Sequence, residues 1–223
     1  MNHIFWQEVI PNWLTAIGTV GAVVVALFQK PFSRWFNRPK IKVTCIDQVP
    51  YTEEIVINTD SSSKENELKI RVKVENEGKL TANHCIVNVD CYYEKRKNEE
   101  SYVKKEFAPI LLRDYRNATP ATIAPHLIYY LDVAAIRKTD QMSASDDSSQ
   151  FHQFYKLFIM GDKKPIELGK GTFIIPIKIS AAYIKSSINY LKVYWDSDSF
   201  NINKQCFSIT LISNKDFKGL TII

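Results

Sequence analysis

The sequence predicts a mainly β protein, an antiparallel β-sandwich preceded by one transmembrane α-helix. Three observations carry this expectation: a long uncharged apolar run near the N-terminus, repeated strand-period alternation after residue 40, and no second helical pattern. The 223 residues leave room for such a helix and for one domain large enough to bury a core.

The helix comes first. Between Glu8 and Lys30 lie 21 residues without a formal charge, which as a helix cover about 30 Å, the thickness of a bilayer's hydrocarbon core. The membrane span is expected over residues 10–29, within an N-terminal segment 1–29. Pro11 stands near its start, where a missing N–H costs little. Trp13 at one end and Phe32, Trp35 and Phe36 beyond the other suit a membrane–water interface. A buried core helix is the alternative, against which the absence of charge and the aromatic ends argue. A cleaved signal peptide is another, but residues 1–9 offer only His3 and the amino terminus as basic groups, and no A-x-A site follows the run.

Orientation follows from the flanking charges. Lys30, Arg34, Arg38, Lys40 and Lys42 follow the apolar run and no Lys or Arg precedes it, which places the C-terminal side in the cytoplasm, at the cell inner membrane. The same five side chains are candidates for contact with anionic headgroups, at about 1 kcal/mol each. Residues 30–39 read as a basic connector. Within the helix Gly18, Ala22 and Ala26 recur every four residues, with Thr15 and Thr19 beside them. Small side chains let helices approach closely in lipid, so these three are the candidate helix-packing residues for self-association.

Residues 40–223 read as the sandwich domain. In residues 68–75, Leu68, Ile70, Val72 and Val74 form one face, and Lys69, Arg71, Lys73 and Glu75 form the other, the pattern of a strand with one side in a core. Residues 41–45 alternate in the same way, and Cys85, Val87, Val89, Cys91 and Tyr93 share a face opposite Asn88 and Asp90. Further strands are expected over 128–133, 155–160, 172–180, 190–195 and 206–213, with Pro176 marking an edge strand or a bulge. The polar stretches 58–66 and 139–150 are expected to be surface loops.

Charge narrows the function. The formal net charge is +5, but five of the 29 Lys/Arg and only one of the 24 Asp/Glu fall in residues 1–42. The domain that follows is nearly neutral, so general nucleic-acid binding, which needs a basic face, is not expected.

The segment V-E-N-E-G-K-L-T-A-N-H-C-I-V-N-V, residues 74–89, resembles the V-x-N-x-G…A…V-x-V hairpin of bacterial immunoglobulin-like sandwich domains. Asn76 and Gly78 suit its turn because both tolerate positive φ. The layout of anchor, basic connector and hairpin is similar to bacterial single-pass membrane proteins of uncharacterised function. The resemblance implies an immunoglobulin-like fold and no activity, and some small membrane proteins of this layout serve as effectors in antiviral defence.

No catalytic constellation is visible. The four cysteines lack C-x-x-C spacing, and Cys45, Cys85 and Cys91 fall on inward faces, where a thiol packs as a small apolar group. His3, His84, His126 and His152 form no metal-binding pair, and no P-loop, dinucleotide fingerprint or nucleophile elbow occurs. No catalytic residue, metal or cofactor is therefore expected, and the chain does not read as an enzyme. The expected function is a membrane-tethered cytoplasmic module that binds a protein or small-molecule ligand, or an oligomeric membrane effector working through clustered helices. An extracytoplasmic sandwich, tethered or secreted, that binds carbohydrate or another surface is the alternative.

Overall fold

The structure, a computed structural model, describes residues 10–46, 48–49, 51–58, 64–95, 99–114, 121–140, 153–182, 184–197 and 206–222. It has two compact units, Met1–Arg38 and Pro39–Ile223. The first contains α1 (Ile10–Phe36), a helix of 27 residues that continues through most of the expected connector. Among the described residues no helix is long and apolar enough to cross a membrane, so the expected span over residues 10–29 is not supported on that criterion. The helix does not end with the apolar run but continues through the basic and aromatic residues Lys30 to Phe36.

The second unit is built from antiparallel strands. In chain order they are β1 (Ile41–Thr44), β2 (Thr52–Asn58), β3 (Lys64–Asn76), β4 (Ala82–Asn83), β5 (Ile86–Lys95), β6 (Val103–Leu111) and β7 (Arg113–Asp114). There follow β8 (Thr122–Ile123), β9 (Ile128–Asp140), β10 (Gln153–Ile159), β11 (Ile166–Leu168), β12 (Gly171–Ala181), β13 (Ile184–Trp195) and β14 (Phe207–Ile212), and a short helix α2 (Asn214–Lys218). A seven-stranded sheet runs β1-β3-β9-β10-β11, with β2 on β3 and β7 on β9; a five-stranded sheet runs β14-β13-β12-β5-β6. One buried cluster draws Leu68, Ile70 and Ile136 from the first sheet and Phe173, Ile175 and Trp195 from the second. Two antiparallel sheets thus share one core, a sandwich-like arrangement.

The strand alternation of residues 68–75 holds: Leu68, Ile70, Val72 and Val74 are buried in this core. Elsewhere bulges interrupt the alternation. Between Ile70 and Arg71 β3 advances one residue while β9 passes from Ala134 to Asp132. Consecutive Val133 and Ala134 consequently both enter the core. In the second sheet β5 is bulged against both neighbours, near Pro176 of β12 and Pro109 of β6. Neither proline has an N–H to donate. Beyond these bulges Tyr92 packs on the main core, and Tyr93 joins a second cluster instead. Tyr93 therefore does not share a face with Val87 and Val89 as the alternation suggested. Pro176 marks a bulge but not an edge, because β12 lies between β5 and β13.

The second cluster covers the far side of the five-stranded sheet. Ile174 and Tyr190 are capped there by Phe217 of α2, whose ring stacks on Tyr190 at 3.9 Å. Ser213 caps α2 by accepting from the Asp216 amide at 3.1 Å. The expected loops are shorter than their sequence suggested. Lys64–Asn76 and Ile128–Asp140 extend into both polar stretches, and residues 59–63 and 141–150 lie outside the described ones.

Asn76 ends β3 with no exposure at all. Its Oδ1 accepts from the amides of Gly78 at 3.0 Å and Lys40 at 3.1 Å. Its Nδ2 donates to the carbonyls of Leu80 at 2.7 Å and Ile123 at 2.9 Å. Neither Asn76 nor Gly78 adopts positive φ; in the described residues that conformation belongs to His84, His126 and Gly171. Asn76 is a hydrogen-bond hub, which corrects its expected role as a left-handed turn residue. We expect Asn76→Ala to cost about 3–4 kcal/mol, since it strands buried donors and acceptors together. Asn76→Asp should cost a similar amount, because it turns an acceptor toward two carbonyls. Urea denaturation followed by tryptophan fluorescence checks both.

Candidate functional site

The most unusual surface belongs to α1. Trp13, Leu14, Ile17, Val20, Val23, Val25, Leu27 and Phe28 are each more than half exposed and cover rather more than half of the helix circumference, while Thr15, Gly18, Thr19, Ala22, Ala26 and Gln29 share the remaining face. So wide an exposed apolar surface calls for an apolar surrounding. Gly18 and Gly21 have no atom within 4 Å of where a Cβ would stand, so the face carrying Gly18, Ala22 and Ala26 is open to a close neighbour. The Thr19 hydroxyl donates to the Thr15 carbonyl at 2.9 Å, which satisfies it within the helix, as a low-dielectric surrounding demands.

The five basic residues fall into different environments. Lys30 and Arg34 are in α1, their side chains outside the described ones. Arg38 and Lys40 are exposed. Lys42 is on β1, where its ammonium pairs with Glu77 at 2.6 Å; this contact raises its pKa above the ordinary value. Lys42 is thus engaged by the domain's own carboxylate, while Arg38 and Lys40 remain the described basic residues available at the junction.

The outer side of the first sheet carries a charged row that periodicity alone does not show. Arg71 and Asp132 are register partners on β3 and β9, and the Arg71 Nε donates to Asp132 Oδ1 at 2.8 Å. Arg71 also bonds Glu53 of β2, and Lys69 donates to Asp132 Oδ2 at 2.8 Å. Burial works against the Arg71 charge, but the bonds to Asp132 and Glu53 outweigh it and raise its pKa. Nearby, Arg137 pairs with the buried Glu67 at 2.6 Å. A polar face of a two-sided strand is ordinary, but Arg71 at 6 % and Asp132 at 8 % exposure form a desolvated pair.

Among the described residues the cysteines and histidines do not assemble a metal-binding group. Burial pushes the Cys85 thiol up to about 11. Burial, together with the neighbouring Asp90, takes Cys91 to about 11 as well. Both thiols are protonated at neutral pH and poor nucleophiles. An open cavity of about 260 Å³ lies beside His84 and Cys85, lined also by Ile86, Val87, Leu111 and Ala121. It is smaller than a typical cofactor pocket and holds no activated group.

No family model, curated protein or solved structure matches this chain. The functional reading therefore rests on the chain's own chemistry. We expect Cys206, partly exposed, to be alkylated by iodoacetamide at pH 8 well before the buried Cys45, Cys85 and Cys91. Mass spectrometry of native protein against time checks the order, and rapid labelling of Cys85 would reveal an activated thiol.

Proposed function

We propose that the protein is a membrane-tethered binding module of the inner membrane, with α1 in the bilayer and the sandwich on the cytoplasmic side. The observation that carries this reading is the helix surface: large apolar side chains exposed over more than half of its circumference from Trp13 to Phe28. Water disfavours such a surface by about 25 cal/mol per Å². The 27-residue helix extends about 40 Å, the thickness of a bilayer with its headgroups.

The cytoplasmic side is supported by the flanking Lys and Arg residues and by the four free thiols, Cys45, Cys85, Cys91 and Cys206. Unpaired cysteines are expected where thiols are kept reduced. In the fuller form of the proposal, ligand binding to an immunoglobulin-like domain rearranges helices clustered through Gly18, Ala22 and Ala26, and the assembly acts as a membrane effector. A role in antiviral defence rests on the resemblance in layout alone.

Full-length protein should pellet with membranes and stay there in carbonate at high pH, and a reporter fused after Ile223 should be active in the cytoplasm. Recovery in the soluble fraction without detergent would sink the membrane reading, and periplasmic reporter activity would support the extracytoplasmic alternative. Replacing Gly18 and Ala22 by Leu should weaken self-association in detergent without releasing the protein from membranes, whereas Val24→Leu should leave both unchanged. Association unchanged in the Gly18 and Ala22 variant removes the effector form.

A further inference from the structure

We propose that Arg113 is the anchor of an anion-binding site on the outer side of the first sheet, for a small phosphate-bearing ligand. This names the ligand class for the binding role proposed above and rests on that role; it does not need the helix to be in a bilayer.

The argument starts from register. Asp132 of β9 faces Arg71 of β3 on one side and Arg113 of β7 on the other. Directly opposed residues share a face of the sheet. The row across β3, β9 and β7 is therefore Arg71, Asp132, Arg113, with charges alternating in sign, and Glu53 of β2, opposite Lys69 in register, reaches Arg71 by its side chain. Glu53, Arg71 and Asp132 neutralise one another: Arg71 bonds both Glu53 and Asp132, and the second oxygen of Asp132 accepts from Lys69. Arg113 ends the row on a two-residue strand, and its Nε is buried with no hydrogen-bond partner. Among the described residues no carboxylate pairs with its guanidinium.

A buried guanidinium N–H without a partner is costly, because the Arg113 Nε loses water and gains no acceptor. Asp114 beside it does not answer the charge. It is paired in register with the core residue Leu131, which puts it on the opposite face. The nearest turn adds positive charge instead. The Met160 amide donates to the Val133 carbonyl at 2.9 Å, one residue from Asp132 on β9. Asp162 then accepts from the Leu111 amide at 2.8 Å, two residues before Arg113. That bond fixes the turn, in which the exposed Lys163 and Lys164 outweigh the single charge of Asp162. Gly161 allows the close approach, since a Cβ there would stand 2.0 Å from Ile110 Cγ2. One planar fork, with two exposed lysines on the turn tied to Leu111, suits a phosphate, which offers several acceptor oxygens and more than one negative charge.

The test is titration of full-length protein in neutral detergent with inorganic phosphate, reading the melting midpoint. Wild type should gain about 4 °C at ten times the dissociation constant, and its Arg113 Nε–H resonance should move. R113M and R113Q should lose at least ten-fold in phosphate affinity and, without phosphate, melt no lower than wild type, because each removes an unpaired charge. R113K should keep part of the affinity. Glycerol phosphate with phosphatidylcholine nanodiscs, and phosphatidylglycerol nanodiscs without it, separate a soluble ligand from a lipid headgroup; a response confined to either arm supports the site. Phosphate gains equal in wild type and both neutral variants, or no movement of the Arg113 resonance, overturn the proposal. So does a large loss of stability in both neutral variants without phosphate, which marks Arg113 as a structural cation. None of these outcomes bears on carbonate fractionation, which tests the membrane reading separately.

Discussion

A single buried amide, the side chain of Asn76, satisfies backbone groups from three places in the chain: Lys40 ahead of β1, Gly78 and Leu80 in the loop after β3, and Ile123 in β8. Its own carbonyl accepts from the His126 amide at 2.8 Å. Two of these segments have almost no ladder of their own, since β4 and β8 pair over two residues each. The constraint is chemical. A carboxylate has no donor and an aliphatic side chain neither group, so only an amide of this length satisfies two N–H and two C=O groups at once. The point where the chain enters the domain is thereby fixed to the end of its central strand β3.

The bulges are the second organising device. Each inserts residues on one strand and reverses which face the following side chains take. In β9 this puts Val133 and Ala134 together into the core and leaves Asp132 on the outer row. In β5 it directs Tyr92 and Tyr93 to opposite sides, so that the five-stranded sheet packs on the main core and also holds α2 through Phe217. The charged row and the second cluster both follow from these shifts, one on the outside of each sheet.

The two units present opposite problems to water. The domain hides its apolar groups and has even its polar face largely paired, through Lys73–Glu75 at 2.5 Å and Lys156–Glu167 at 2.7 Å. Exposed pairs of this kind contribute little to stability individually, and among the described residues they leave the buried Arg113 Nε without an acceptor. Helix α1 instead exposes what the domain buries. The proposed association and ligand functions are thus assigned to separate parts of the chain, each on a group whose surroundings are incomplete.

Sequence alone determined what depends on neighbours along the chain. The apolar helix, the strand at residues 68–75, most of the long strands and the burial of Cys45, Cys85 and Cys91 follow from local period and composition, because side-chain direction repeats every 3.6 or 2 residues. The strand Val103–Leu111 was not legible, since its charged start V-K-K-E hides any alternation and Pro109 breaks it. The bulges that re-aim Tyr93 and Asp132 and the hub role of Asn76 were decided by tertiary structure. So was the isolation of Arg113, a residue with no local motif. Its meaning comes from Asp132, nineteen positions away in sequence and opposite it in register. Register between distant strands is set by turns, prolines and core packing acting together, and no periodicity in one segment encodes it.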